Sequence, residues 1–387
     1  MKYMGSKRQL LENGLGRMLL ARASQARRVV DLFSGSAAVS WFVAEQTNAP
    51  VLSVDLQSFS AILAGAVIER TKTLDANQVA KEWIVKARLN QWNFEFCYEA
   101  FALDHSCLEI EELSRQARKL CKKSAKPIAA AYGGHYYSPA QAIALDSMRE
   151  NLPLEEPGKS ICLAALIAAA SKCAAAPGHT AQPFSPSTTS ERSIKEAWKK
   201  DPFVLAFKEV VDICGRAANK VGCAMVANAL DVAATLNRHD LVFVDPPYSG
   251  VQYSRFYHVL ETLTTWKTVE VSGTGRYPPR GQRPQSAFSN KGESVGAVRK
   301  LLEALASSKA TVLFTFPNAD CSNGLSAEII QDIASENFTV KSKAIAGRFS
   351  TLGGNNSVRK ARLKSEELIL TLTPRNISRK PIVQRVM

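Results

Sequence analysis

Leu241-Val242-Phe243-Val244-Asp245-Pro246-Pro247-Tyr248 runs four β-favouring apolar residues directly into an acid, two prolines and an aromatic ring. A short, continuously apolar run of this kind reads as a strand buried on both faces, and the prolines end it abruptly. In an open α/β sheet the carboxyl ends of such strands are where ligands bind. Pro246 and Pro247 lack a backbone N–H and have fixed φ angles, so their carbonyls are expected to face outward as stiff acceptors beside the Asp245 carboxylate. Acceptors grouped in this way suit a partner that brings an N–H₂ group. Tyr248 adds a flat face for a planar ring, and a nucleobase meets both requirements. The alternative is an ordinary turn, since Asp and Pro are common turn residues.

Two stretches nearer the N-terminus point to a second ligand. Arg27-Arg28-Val29-Val30-Asp31-Leu32-Phe33-Ser34-Gly35-Ser36-Ala37-Ala38-Val39-Ser40 reads as strand, tight turn and helix start, with Gly35, Ser36 and Ala37 small enough for a ligand to approach the backbone. The turn lacks the second and third glycines of G-x-G-x-x-G, which argues against a dinucleotide pyrophosphate and for a cofactor without phosphates. The strand Val51-Leu52-Ser53-Val54 then ends in Asp55, where nucleotide-binding α/β folds place an acid on ribose hydroxyls. Asp55 could equally cap a helix.

The 387 residues suffice for a full core and about two folding units, and 46% hydrophobic with 22% charged residues excludes general disorder. The balance of 49 Lys+Arg against 35 Asp+Glu, net +14, favours a polyanionic partner. Eight cysteines are scattered without C-x-x-C or zinc-spaced histidines, so reduced thiols and no metal site are expected. The most apolar helix, 161–170, is too short for the ~20 residues of a membrane span. Residues 1–7 lack the apolar segment of a signal peptide, and a cytoplasmic, nucleoid-associated protein is expected.

The α/β pattern divides into 1–56 and 223–387, separated by a mainly helical insertion, 57–222. Within the insertion, the basic helix end Arg115, Arg118, Lys119, Lys122, Lys123 and Lys126 precedes the aromatic loop Tyr132-Gly133-Gly134-His135-Tyr136-Tyr137. The pair reads either as a nucleic-acid groove or as a solvated helix followed by a packed loop. A polar loop, expected to be mobile, covers 185–192. Beyond the insertion come the strand Cys223–Val226, the segment Asn228–Asp231, and a helix after Val251. Residues 273–292 are expected to form a basic, flexible loop with nothing to bury. A strand at Thr311–Phe316 and a terminal strand pair, Phe338–Ile345 and Glu367–Thr373 around the loop 351–356, complete the chain.

Taken together, Tyr3-x-Gly5-Ser6-Lys7-Arg8, the Asp31–Ala37 turn, Asp55, Asn228–Asp231, the Asp245–Tyr248 tetrad, and Gln252-Tyr253-Ser254 with Tyr257–Leu263 after it resemble the D12 class of S-adenosylmethionine-dependent DNA adenine N6-methyltransferases, the group containing Dam methylase. The resemblance implies a Rossmann-like class I methyltransferase sheet, mostly parallel with a terminal antiparallel strand, and a helical target-recognition domain inserted in it. It implies S-adenosyl-L-methionine as cofactor, with Tyr3 and Lys7 near the methionine end and Asp31, Phe33 and Gly35 beneath it. Asp55 and Leu56 would meet the ribose region, and Asp231 the adenine amino group. Asp245, Pro246, Pro247 and Tyr248 would hold a flipped target base. The expected DNA contacts are Tyr253, Arg255, His258 and His179, with Arg276, Arg280, Arg283 and Lys291 clamping phosphates. Double-stranded DNA is the implied partner, and a cognate restriction endonuclease a further one. Ala37 departs from the class, where Gly is frequent.

An exocyclic amine needs hydrogen-bond acceptors to localise its lone pair, and no covalent enzyme intermediate is required. A cytosine C5 enzyme would need a nucleophilic cysteine, typically after proline, and the sequence contains no Pro-Cys pair. The other readings are cytosine N4 or RNA adenine methylation on the same fold, and an inactive DNA-binding specificity subunit.

Overall fold

A computed structural model describes residues 7–103, 108–348 and 364–375. Tyr3, Cys107 and the loop 351–356 lie outside the described residues. Among the described residues seven strands form one sheet: β1 (Arg28–Asp31), β2 (Val51–Asp55), β3 (Cys223–Val226), β4 (Asp240–Val244), β5 (Thr311–Pro317), β6 (Phe338–Arg348) and β7 (Lys364–Pro374). Their order is β3-β2-β1-β4-β5-β7-β6. β1 to β5 are mutually parallel, and β7 runs antiparallel to both β5 and β6, so it is the reversed strand. This is the Rossmann-like sheet, mostly parallel with a reversed strand, that the resemblance implies.

Side chains alternate across the sheet with the period of two that a strand imposes. Val29, Val51, Leu241, Phe243 and Leu313 enter one core, while Val30, Val54, Val242, Val244, Val312 and Phe314 enter the other. All five residues of β4 are buried, the mark of a central parallel strand covered on both faces. The second core is closed by the helices Ser294–Ser308 and Ala327–Asn337. The first is closed by Ala38–Gln46 and Ser58–Ile68 and continues without interruption into the helical segment, through Trp83, Tyr132, Ile143 and Leu166. The helix Gly158–Cys173 has an apolar run, Ile161–Ala170, in which every residue is buried. It is a core helix, and among the described residues none is long and apolar enough to cross a membrane.

One loop expectation is overturned. Residues 273–292 do find something to bury: Phe288 is 3% exposed, and Ser272 and Tyr277 exchange backbone hydrogen bonds of 3.0 Å to close a tight hairpin. The hairpin is fastened to the helical segment. Arg276 Nε donates to the Ala131 carbonyl at 2.9 Å, the Tyr136 hydroxyl lies 2.9 Å from the Gly275 carbonyl, and the Tyr277 hydroxyl donates to Ala181. The aromatic loop Tyr132–Tyr137 is the packed alternative, because all three tyrosines are fully buried and offer no ring to a nucleic acid. Residues 185–190 form a turn in which Ser187 and Ser190 bond each other, and it leads into the helix Glu191–Trp198.

Candidate active site

Between β1 and β4 the connections leave the sheet in opposite directions, β1 leading on to β2 while β4 lies on its other side. A crevice opens at such a switch point, outside the carboxyl ends of the strands. Here it is a cleft of about 1060 Å³, open mouth included, lined from Lys7, Asp31 and Asp55 through Asn228 and Leu230 to Asp245–Tyr248 and Tyr253.

At the end of β1, Asp31 is 1% exposed. Its Oδ2 accepts from Ser40 Oγ at 2.7 Å, whereas Oδ1 is buried with no partner among the described residues. Burial pushes its pKa up to about 7, against the bond from Ser40. The turn that follows puts Gly35 at φ 49 and Ala37 at φ 61. Left-handed φ at the second position explains why glycine suits it, alanine bearing a cost of about 1 kcal/mol there. Gly35 N–H donates to Asp55 Oδ2 at 2.8 Å and Gln57 N–H to Oδ1 at 2.9 Å. Burial raises Asp55 to about 6 despite these bonds. The helix after Asp55, Ser58–Ile68, takes no cap from its own N-cap side chain. Glu261 caps it instead, accepting from Ser58 N–H at 3.0 Å and Phe59 N–H at 3.2 Å.

At the end of β4, Asp245 Oδ1 receives Lys7 Nζ at 2.9 Å and Thr315 Oγ1 at 2.8 Å, which leaves Oδ2 for a ligand. Lys7 is 6% exposed and also meets Glu367 Oε1 at 2.5 Å. Burial opposes its charge, but the two carboxylates outweigh that penalty and raise its pKa. For Asp245 burial dominates, and its pKa rises to about 6 although Lys7 counters the shift. Asn323, buried, donates from Nδ2 to the Pro247 carbonyl at 2.8 Å and to the Phe288 carbonyl at 2.9 Å. The tetrad therefore spends one of its two expected outward carbonyls, that of Pro247, internally. Gln252 and Ser286 exchange two bonds, of 2.9 and 2.7 Å, that hold the 284–288 segment against the cleft.

Of the residues singled out from sequence, Lys7, Asp31, Phe33, Gly35, Asp55, Leu56, the whole tetrad and Tyr253 line this one cleft. Asp231 does not: it is exposed on the outer side of the helix Ala229–Ala233, and Asn228, the N-cap of that helix, takes the cleft position. His258 is 2% exposed among Tyr132, Tyr136 and Tyr277, with Nδ1 3.0 Å from the Arg255 carbonyl, so it presents no surface to DNA. His179 stacks on Phe256 at 4.7 Å and its Nδ1 accepts from Ala181 N–H, away from the cleft. Arg276 and Arg283 are partly buried and bonded to carbonyls, Arg255 lies 4.4 Å over the Tyr277 ring, and Arg280 and Lys291 are exposed. Thr315, Glu367, Asn323 and Asn228 are the participants that sequence reading did not assign to the site.

A family model described as D12 class N6 adenine-specific DNA methyltransferase matches residues 3–106 and 215–310, more than half of the chain. The modification methylase LlaI of Lactococcus lactis subsp. lactis is 26% identical over 306 residues, covering 76% of this chain and 43% of that relative. The chain thus spans less than half the length of the relative it matches. The matched portions supply β1 to β4, whose ends frame the cleft, and the interval between them falls in the helical segment. On that footing the chain belongs to the D12 class N6 adenine-specific DNA methyltransferase family.

Proposed function

We propose that this chain transfers a methyl group from S-adenosylmethionine to the exocyclic amine of an adenine swung out of duplex DNA. The observation that carries the proposal is the pairing, in one cleft, of a cofactor-type end at Asp31, Gly35 and Asp55 with an amine-accepting end at Asp245 and Pro246. The cofactor fits the residues present. Asp31 Oδ1, buried and unbonded, is an acceptor for an ammonium group, and Asp55, already oriented by two N–H bonds, retains lone pairs for ribose hydroxyls. When bound, the cofactor supplies an electrophilic methyl group on a sulfonium centre.

The chain's own residues provide alignment and electrostatics. Asp245 Oδ2 and the Pro246 carbonyl accept the two N–H bonds of the target amine and localise its lone pair. Lys7 and Thr315 fix Oδ1, which sets the direction of Oδ2. With a pKa of about 6, Asp245 is mainly anionic at neutral pH and basic enough to take the proton the amine sheds after transfer. Tyr248 and Tyr253, 6.4 Å apart edge to face, offer the ring against which the extruded base stacks. Extrusion costs a few kcal/mol, offset by that stacking. Among the described residues no cysteine lines the cleft, which favours direct N-methylation over a covalent C5 route. The helical segment 57–222 is assigned target recognition. The relative's name supports a role in modification; a restriction endonuclease as counterpart and a place in the cytoplasm belong to the same proposal.

Asp245→Ala is expected to lower methyl transfer at least a hundredfold while calorimetric titration with S-adenosylmethionine stays within twofold of wild type. Asp55→Ala is expected to weaken that titration by about 1–3 kcal/mol. Near wild-type turnover in the first variant, or unchanged affinity in the second, would remove the residue from its proposed role.

A further inference from the structure

We infer that Arg118 and Arg276, with Lys122 and His135 beside them, form a binding site for one backbone phosphate of duplex DNA. This rests on the reading of duplex DNA as substrate and adds a contact made jointly by the helical segment and the 272–277 hairpin. The two guanidiniums come from residues 158 positions apart in sequence, yet each is anchored through Nε to carbonyls three residues apart, one in the last turn of the helix Pro127–Tyr132 and one in the turn after it. Arg118 Nε donates to the Gly134 carbonyl at 3.1 Å and Arg276 Nε to the Ala131 carbonyl at 2.9 Å. Bonding through Nε leaves the Nη edges of both for an outside acceptor, the fork geometry that phosphate oxygens match.

No carboxylate pairs with either arginine, or with Lys122, among the described residues. The cations are close enough to act on one another. Burial first, and then Arg276, lowers Arg118, while His135 is driven down to about 3 by burial and then by Arg118, Arg276 and Lys122. Holding like charges together, half-buried and without a counterion, costs stability that a bound phosphodiester anion would return. The backbone is strained to the same end: Arg276 sits at φ 54, a left-handed conformation uncommon for a side chain of this size. The hairpin that carries it is closed by Ser272 and Tyr277, and Arg255 lies 4.4 Å over the Tyr277 ring, two residues beyond Tyr253 of the cleft. Through Tyr277 and Arg255 the hairpin is thus joined to the short helix Tyr253–Phe256, whose first residue lines the cleft.

The test measures the affinity of full-length protein for a non-target duplex against KCl concentration. Arg118→Gln, Arg276→Gln and the double variant are compared with Lys119→Gln, which removes an exposed charge from the same helix. The expected result is a slope of log affinity on log salt flatter by about 0.9, one phosphate's worth, in each single variant and no further in the double. An unchanged slope, or an equal change in Lys119→Gln, overturns the site. In unmutated protein, the duplex should protect Arg118 and Arg276 from arginine modification by phenylglyoxal, read by mass spectrometry. Absence of protection, or equal protection by inorganic phosphate alone, overturns the assignment to DNA. Methyl transfer is scored in parallel, and a flattened slope supports the site even where no methyl group is transferred, so the two readings fail separately.

Discussion

Asp31 shows what the cleft costs the fold. Its folded pKa of about 7 lies above the ordinary carboxyl value near 3.8, so the folded form binds more protons through that window. Stability contributed by the protonated acid is complete below about pH 4 and is lost as pH rises through 7. Asp31→Asn is therefore expected to stabilise the cofactor-free protein at pH 8 by about 2 kcal/mol, roughly half of what three pKa units imply, raising Tm by a few degrees. The gain should vanish by pH 4. A loss of stability at pH 8 would contradict the burial argument. Asp245, raised to about 6, imposes the opposite-looking signature on activity: kcat/KM should fall as pH drops through 6, when the acceptor protonates. The legible residues were those carried by local motifs, namely Asp31, Asp55 and the tetrad. Thr315 and Asn323 act on the tetrad across 70 and 76 positions, and no local pattern announces such pairs. Asp231 was assigned on resemblance alone, and the helix turns it outward to solvent, whereas Asn228, its N-cap three residues earlier, lines the cleft.

At the level of elements, the strands were legible because apolar runs with abrupt ends have few other uses. The hairpin 272–277 and the 284–288 segment were not, since polar composition hides a structure held by hydroxyl and carbonyl bonds to distant tyrosines. Position and partners, not composition, make that segment ordered. The helix Ser58–Ile68 depends similarly on a remote side chain. Removing the Glu261 carboxylate frees two N–H donors beside the turn that orients Asp55. Glu261→Ala is expected to cost about 1–2 kcal/mol in urea unfolding and to weaken S-adenosylmethionine binding as well. Full stability in that variant would mean that the cap is dispensable.

For the whole molecule, one apolar core runs from β1 and β2 through Trp83, Tyr132 and Leu166 in the helical segment. Sequence reading separated 57–222 by its change of pattern, which says nothing of how much core is shared. Shared burial couples the parts, so a single calorimetric transition with equal van't Hoff and calorimetric enthalpies is expected; two resolved transitions would argue for independent units. The excess of cations, net +14, fits a molecule that works on a polyanion. The most direct measurement joins cofactor, substrate and atom. Purified protein is incubated with methyl-labelled S-adenosylmethionine and duplex DNA, and the DNA is digested to nucleosides and separated. Label in N6-methyldeoxyadenosine is the predicted result; label confined to a cytosine product, or none in DNA while RNA is labelled, would contradict the account.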